Sequence, residues 1–233
     1  MNEKVVFFLP TRKGSERVID KNTRKFSIEE NGILGLKIKQ LLKVNGIDEI
    51  IVSTNDPRTK EIAKSFESNR INIIERPEHL CLSSTKLDDL INYVPTVTDA
   101  EHIFWVHTTS PFVTEEDYAK ALISYQKNLL ENEFDSMMSV SKKHEYLWDA
   151  ENNGFLNLDR SNIKWPRTQD IKPFYELNHA FFINSRDNYI KYNDRIGKMP
   201  FLYELPKIKS FDIDWMDDFE LAAAIYEISV NSK

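Results

Sequence analysis

Arg12, Lys13, Arg17 and Lys21 surround Gly14 and Ser15 and lead directly into Asn22, so four cations, a glycine, a hydroxyl and an amide fall within eleven positions. That mixture suits a loop that wraps a polyphosphate. Glycine allows close backbone approach to an anion, consecutive N–H groups form a concave anion site, and Arg and Lys add charge-assisted hydrogen bonds. Asn22 can read both donor and acceptor atoms of a base edge, or simply make a turn. Far along the chain, Asp212 and Asp214 flank Ile213. On a strand the two carboxylates would share one face, a hard-cation site completed by phosphate oxygens in the manner of magnesium. Asp214 could equally cap the helix that follows.

Two further groups are candidates. Arg76-Pro77 followed by Ser83-Ser84-Thr85 could reach the same cleft, although an Arg before a turn and a capping Ser or Thr are ordinary surface features. His107-Thr108-Thr109-Ser110-Pro111 brings an imidazole able to bind substrate or act as a base near neutral pH. The remaining histidines lack metal-ligand spacing, and no nucleophile elbow, Walker loop or dinucleotide fingerprint occurs.

These residues need a scaffold that brings them together. Apolar Val5–Leu9 predicts a buried strand ending at the basic loop, and helical spacing of Leu34, Ile38 and Leu41 predicts a helix over 33–44 that stops at Asn45-Gly46. Ile47–Ser53 predicts a strand. Asp56-Pro57 starts a helix to about Ser65. Strands are expected at 72–74 and 102–106, helices at 86–94 and from the Thr114 capping box to about Leu130. The alternation predicts a mostly parallel, doubly wound α/β sheet covered on both faces, which binds ligands at strand carboxyl ends. Beyond it, strands are expected at 136–141, 178–183, 201–205 and 211–214, a turn at Asn152-Asn153-Gly154, and a closing helix from about Met216 to Val230. Residues 159–174 are polar and irregular, which marks a functional or partner-packed loop. The chain therefore reads as a single domain over 1–233 with an arm inserted near 138–176.

The 233 residues are 41% hydrophobic and 29% charged, with net charge −6. That balance fits a globular α/β domain and argues against a nucleic-acid surface, so any anion site must be local. One cysteine, Cys81, rules out an internal disulfide or a multi-cysteine zinc site and suits a reducing compartment. No apolar run is long enough to span a membrane and no signal-peptide pattern is seen, so a cytoplasmic location is expected.

Taken together, the motifs resemble the acylneuraminate cytidylyltransferase family, with CMP-Kdo synthetases more distant. The matching pieces are the stretch from Arg12 to Asn22, Ile51-Val52-Ser53-Thr54-Asn55-Asp56, Arg76-Pro77 with Leu80, Thr109-Ser110-Pro111, Pro166-Arg167, and Asp212-Ile213-Asp214 with Asp217 to Ala222. They occur in the family's order and span nearly the whole chain. The resemblance implies a nucleotide-diphosphosugar transferase fold, Rossmann-like, whose inserted arm is a dimerisation element reaching into the partner's active site. It implies a reaction of CTP with a 2-keto-3-deoxy sugar acid that yields a CMP-sugar and pyrophosphate. Arg12 and Lys21 would clamp the triphosphate. Asn22 and Arg76 would contact cytosine, with Ser15 and Ser83 nearby. Asp212 and Asp214 would hold Mg2+, and Arg167 and Asn178 match positions near the sugar, beside His107. Deprotonation of the sugar hydroxyl would fall to Asp212 or to a hydroxide on the metal; the sequence leaves both open.

Two departures concern the sugar. Where the family carries arginine, this chain has Val113 and Glu176. An acidic Glu176 facing a sugar carboxylate would repel it, which favours a related acidic sugar or an amino-substituted one over sialic acid itself. A Kdo-type or other sugar nucleotidyltransferase is the alternative enzyme, and a catalytically silent nucleotide-binding relative is the alternative from another class. Retention of Arg12, Lys21, Asp212 and Asp214 argues against silence, since a scaffold gains nothing from gathering such charges.

Overall fold

The computed structural model of the chain describes residues 3–131 and 133–231. Strand β1 (Val5–Pro10) lies inside the main sheet and is buried on both faces. Val5, Phe7 and Leu9 pack into one core with Leu34, Ile38 and Leu41, whereas Val6 and Phe8 pack into another with Ile91 and Val94. That two-sided burial explains why β1 reads as a continuous apolar run rather than an alternating one.

Helix α1 (Gly32–Leu42), strand β2 (Glu49–Thr54), helix α2 (Pro57–Lys64), strand β3 (Ile71–Glu75), helix α3 (Leu87–Tyr93), strand β4 (His102–Val106) and helix α4 (Glu115–Leu130) follow in order. Each starts where local chemistry predicts. Asp56 accepts from the Arg58 N–H at 3.1 Å to open α2, and Asp117 accepts from the Thr114 N–H at 2.9 Å to open α4. Strands β3, β2, β1 and β4 pair in that order, all parallel.

The second half adds β5 (Ser136–Lys143), a short hairpin of β6 (Trp148–Asp149) and β7 (Gly154–Phe155), β8 (Phe174–Ser185), helix α5 (Arg186–Tyr192), β9 (Pro200–Glu204) and helix α6 (Met216–Asn231). The main sheet has seven strands, ordered β3-β2-β1-β4-β8-β5-β9. Strand β8 runs antiparallel to both β4 and β5, and β9 runs parallel to β5. The expected mostly parallel, doubly wound sheet is therefore observed, with one reversed strand.

Two local expectations change. Residues 211–214 form no strand: the segment is extended but lies beyond the sheet, tied to it by the Ile213 N–H donating to the Thr109 carbonyl at 3.0 Å. Strand β8 starts at Phe174, four residues before the expected start, because its first residues pair with Ser141, Lys142 and Lys143 of β5. Between them the register slips at Met138/Val140. The Ser139 hydroxyl plugs the slip, donating to Asn178 Oδ1 at 2.6 Å while it accepts from the Phe181 N–H at 3.0 Å. His179 sits in this bulge with φ +56°.

The segment 144–173, between β5 and β8, lies outside the main sheet. Its hairpin carries an aromatic cluster in which Trp148 and Trp165 contact Phe155 at 4.9 and 5.8 Å between ring centroids. The Arg160 guanidinium lies over Phe155 and Trp165.

Candidate active site

The basic loop after β1 is held from below by its own apolar residues. Val18 and Phe26 are completely buried, packed with Ile213 and Phe219 at the start of α6 and with Ile33 and Leu36 of α1. Gly32, at φ +65°, lets the chain turn into α1 where a side chain could not fit, since a Cβ there would lie 2.5 Å from the Arg24 carbonyl oxygen and 2.7 Å from that of Asn22. These contacts place Lys21 so that its Nζ donates to the Ile213 carbonyl at 2.7 Å, across 192 residues of sequence.

The result is a cleft of about 360 Å³ at the carboxyl ends of β1 and β4. Arg12, Ser15, Lys21, Asn22, Ser83 and His107 all line it. Arg12 donates to the Gly14 carbonyl at 3.0 Å, which shapes the loop around its own guanidinium. The Asn22 Oδ1 accepts from the Thr108 hydroxyl at 2.7 Å, so the amide is oriented by the loop that follows β4. Burial lowers the Lys21 pKa, and the nearby carboxylates of Asp212 and Asp214 oppose that shift.

Asp212 stands at the edge of this cleft, half-buried. Its Oδ1 is shielded from solvent and has no hydrogen-bond partner among the described residues. Burial pushes its carboxyl above the usual range, and a hydrogen bond from Thr109 acts against that. A shielded carboxylate oxygen without a donor is costly unless something cationic meets it, so Asp212 fits a metal ligand. Asp214 is engaged differently: its Oδ1 pairs with Arg17 Nη1 at 2.8 Å, and Arg17 also lies over the Trp215 ring at 5.2 Å. Asp214 does not cap α6. Asp218 does so, accepting from the N–H groups of Asp214 and Trp215 at 3.1 and 2.7 Å. No group of three or more His, Cys, Asp or Glu side chains among the described residues could enclose a metal alone. A cation here would need oxygens from a substrate or from water.

Four expected residues are placed otherwise. His107 edges the cleft but does not serve as a base. Its Nδ1–H donates to the His179 carbonyl while its Nε2 accepts from the Trp105 indole at 3.0 Å, so neither nitrogen is free. Burial and the Arg195 guanidinium push its pKa down to about 3, and it stays neutral. Asn178 is buried and saturated: its Oδ1 accepts from Ser139 and from the Ala180 N–H, and its Nδ2 donates to Ser141 and Ser210. An amide has two donors and two acceptor sites, so nothing remains for a sugar. Arg76 is 3% exposed and lies behind the cleft wall, with Nη2 and Nε bonded to the Ser53 carbonyl and hydroxyl at 2.6 and 3.2 Å. Arg167 lies out on the arm, ion-paired with Asp170 at 2.8 Å, beside a separate cavity of about 600 Å³.

The two departures also acquire surroundings. Val113 is fully buried in the core with Tyr118. Glu176 is exposed and paired with Lys143 at 3.0 Å, so its charge is not unopposed.

Thr108, Thr109, Lys37 and Arg195 also shape the site, although none carries a chemical role of its own in the sequence. Arg195 is buried, stacks 3.8 Å from the Phe182 ring centroid and reaches His179 Nδ1 at 3.5 Å. No local signal announces it. Lys37 did leave one, a lysine three residues after Leu34 and four before Leu41 on the apolar face of a helix.

A cytidylyltransferase family model matches residues 6–232. An N-acylneuraminate cytidylyltransferase of Escherichia coli is 27% identical over 97% of this chain, and the match covers 53% of that protein. The chain thus spans about half the length of the N-acylneuraminate cytidylyltransferases it matches. A pseudaminic acid cytidylyltransferase of Campylobacter jejuni is 22% identical over 96% of this chain and 97% of its own length. Among solved structures, a CMP:2-keto-3-deoxy-manno-octonic acid synthetase complexed with CTP superposes with TM-score 0.65 at 17% identity, covering 97% of this chain and 99% of that one. A 4-diphosphocytidyl-2C-methyl-D-erythritol synthase from Anaerococcus prevotii superposes at 0.69 with 13% identity, covering 97% of each. At such identities the structural likeness speaks for the fold.

Proposed function

The chain belongs to the cytidylyltransferase family, and on that premise we propose that it activates a sialic-acid-like 2-keto-3-deoxy sugar acid with CTP, releasing a CMP-sugar and pyrophosphate. The observation that carries this reading is the convergence of Arg12, Lys21 and Asn22 in one cleft beside the partnerless Asp212 carboxylate oxygen. Both relatives named by sequence are cytidylyltransferases, one of N-acylneuraminate and one of pseudaminic acid.

In this reading the anomeric hydroxyl oxygen attacks the α-phosphorus as the bond to the bridging oxygen breaks, and pyrophosphate leaves with the electron pair. Arg12 and Lys21 face the charge that develops on the triphosphate, in a site already organised before substrate arrives. Asn22, locked by Thr108, holds the cytosine end, with Ser15 and Ser83 at the rim; Arg76 acts on the base only through the wall it stiffens. Asp212, and Asp214 once Arg17 turns to the substrate, would hold Mg2+, which when bound neutralises and orients the phosphates. In this reading Asp212 would take the hydroxyl proton.

The arm fits a second copy of the chain. Trp148, Leu156, Ile163 and Trp165 are exposed on it, a larger apolar surface than a free hairpin tolerates. Arg167 would meet a sugar only across such a dimer. No helix among the described residues is long and apolar enough to cross a membrane, and the free thiol of Cys81 suits the cytoplasm.

Pyrophosphate release from CTP, measured across a panel of 2-keto-3-deoxy sugar acids with and without Mg2+, tests the proposal. Turnover of at least one acid is expected, with Asp212→Ala folded and inactive. No turnover across the panel, or full activity in Asp212→Ala, would overturn the enzymatic and metal assignments respectively. Robust turnover of N-acetylneuraminate alone would sink the expectation of a related sugar.

A further inference from the structure

Lys37 is a lysine with no exposed surface, in the middle of α1, among Leu34, Ile38 and Leu41. A buried ammonium normally has a carboxylate against it, but Lys37 has none in contact among the described residues. Asp117, the acid that acts on it at longer range, is occupied by Lys209 and by Thr114. Lys37 Nζ instead donates to the Ser110 carbonyl at 2.9 Å, the Val113 carbonyl at 3.3 Å and the Tyr118 hydroxyl at 2.7 Å. It also lies 4.9 Å from the Tyr118 ring centroid.

Those acceptors belong to the segment that leaves β4 and enters α4. Just upstream of them, the same segment makes the contacts that join the two halves of the cleft. The Thr108 hydroxyl fixes Asn22. Thr109 hydrogen-bonds Asp212 through its side chain and accepts from the Ile213 N–H at its carbonyl. The strut between the base-reading amide and the metal-facing carboxylate is therefore held from below by α1, through Lys37 at Ser110 and Val113 and through Gln40, whose Nε2 donates to the Pro111 carbonyl at 3.0 Å. Without Lys37, the Val113 carbonyl would lose its donor in a dry interior and the Ser110 carbonyl would keep only the long bond from the Val113 N–H at 3.4 Å.

We infer that Lys37 is a positioning residue that sets the placement of Asn22 relative to Asp212 by anchoring the 108–113 loop from below. Its Nζ contacts three oxygens at once, which an aliphatic side chain of equal length cannot do. The inference rests on the nucleotide reading of the cleft and adds a residue that does not itself touch substrate.

The test is CTP binding by isothermal titration calorimetry in MgCl2, with folding followed by circular dichroism. Wild-type protein should bind CTP. Lys37→Met and Thr108→Val should each weaken binding about tenfold with unchanged stoichiometry, and the double variant should lose little more than either, because both act on one contact. A purely structural role predicts the opposite pattern: fewer competent sites, each with wild-type affinity. That pattern, losses that simply add, or affinity within about twofold of wild type in folded Lys37→Met would overturn the inference. If Lys37→Met does not fold, Tyr118→Phe removes one acceptor and keeps the packing. It should weaken CTP about threefold, non-additively with Thr108→Val, and wild-type affinity there would be equally fatal. Wild-type protein that binds no CTP would instead remove the nucleotide reading itself, and this inference with it.

Discussion

At the scale of single residues, polar groups in this protein divide by whether a partner is already present. His107 and Asn178 have their polar atoms partnered inside the fold, and Arg76 is buried with Nε and Nη2 bonded to Ser53. Asp212 Oδ1 is the reverse case, shielded and without a donor. Lys37 is satisfied in hydrogen bonds but not in charge, and burial lowers its pKa from 10.5 to about 7. The depressed value has a measurable sign. Between about pH 7 and 10.5 the unfolded chain carries the Lys37 proton and the folded chain does not, so unfolding takes up a proton. Stability should therefore rise with pH across that window, by an amount on the order of a few kcal/mol, and be flat with respect to this group below it. Urea melts of wild-type and Lys37→Met protein at several pH values would check this: the rise should be present in the first and reduced in the second.

At the scale of elements, the slipped register between β5 and β8 does work that regular pairing would not. The bulge lifts His179 out of the ladder, and its carbonyl takes the His107 proton and fixes that ring against Trp105. Asn178 and Ser139 hold the bulge shut. Asn178→Ala should therefore act on the fold rather than on substrate affinity. Leaving the Ala180 N–H without its acceptor, and Ser139 with only the Phe181 carbonyl, should cost about 1–3 kcal/mol, read as a lower urea midpoint, with the KM for the sugar acid close to wild type. A selective rise in that KM with unchanged stability would return Asn178 to the sugar site. Segment 211–214 makes a related point. Its alternating Phe211, Ile213 and flanking acids look like a strand, yet the segment bonds to the Thr109 carbonyl in the loop after β4 rather than along either edge strand, β3 or β9. Burial of Ile213 against Val18 and Phe26 fixes the segment instead, and that packing alone sets Lys21 beside Asp212.

At the scale of the molecule, one sheet with cores on both faces positions the cleft, and the arm projects from it with exposed aromatics. An isolated hairpin buries too little to justify Trp148 and Trp165 at 52% and 64% exposure. Light scattering should give twice the 27.4 kDa chain mass, and Trp148→Ser with Trp165→Ser should shift it toward the monomer while the sheet's circular dichroism persists. A monomeric wild type would remove the partner-facing role of Arg167. The sequence by itself determined the order of elements as far as β4 and α4, the basic loop and its acidic counterpart, and through these the family, because each is written in short-range periodicity, caps and motif spacing. It did not determine which polar side chains are free to act. Whether Arg76, His107 and Asn178 meet a ligand or a neighbour depends on strand register, on a bulge between strands far apart in sequence, and on what packs behind the cleft. Those are contacts between distant segments, settled by burial and by the need to satisfy every buried donor and acceptor, and only the tertiary structure decides them.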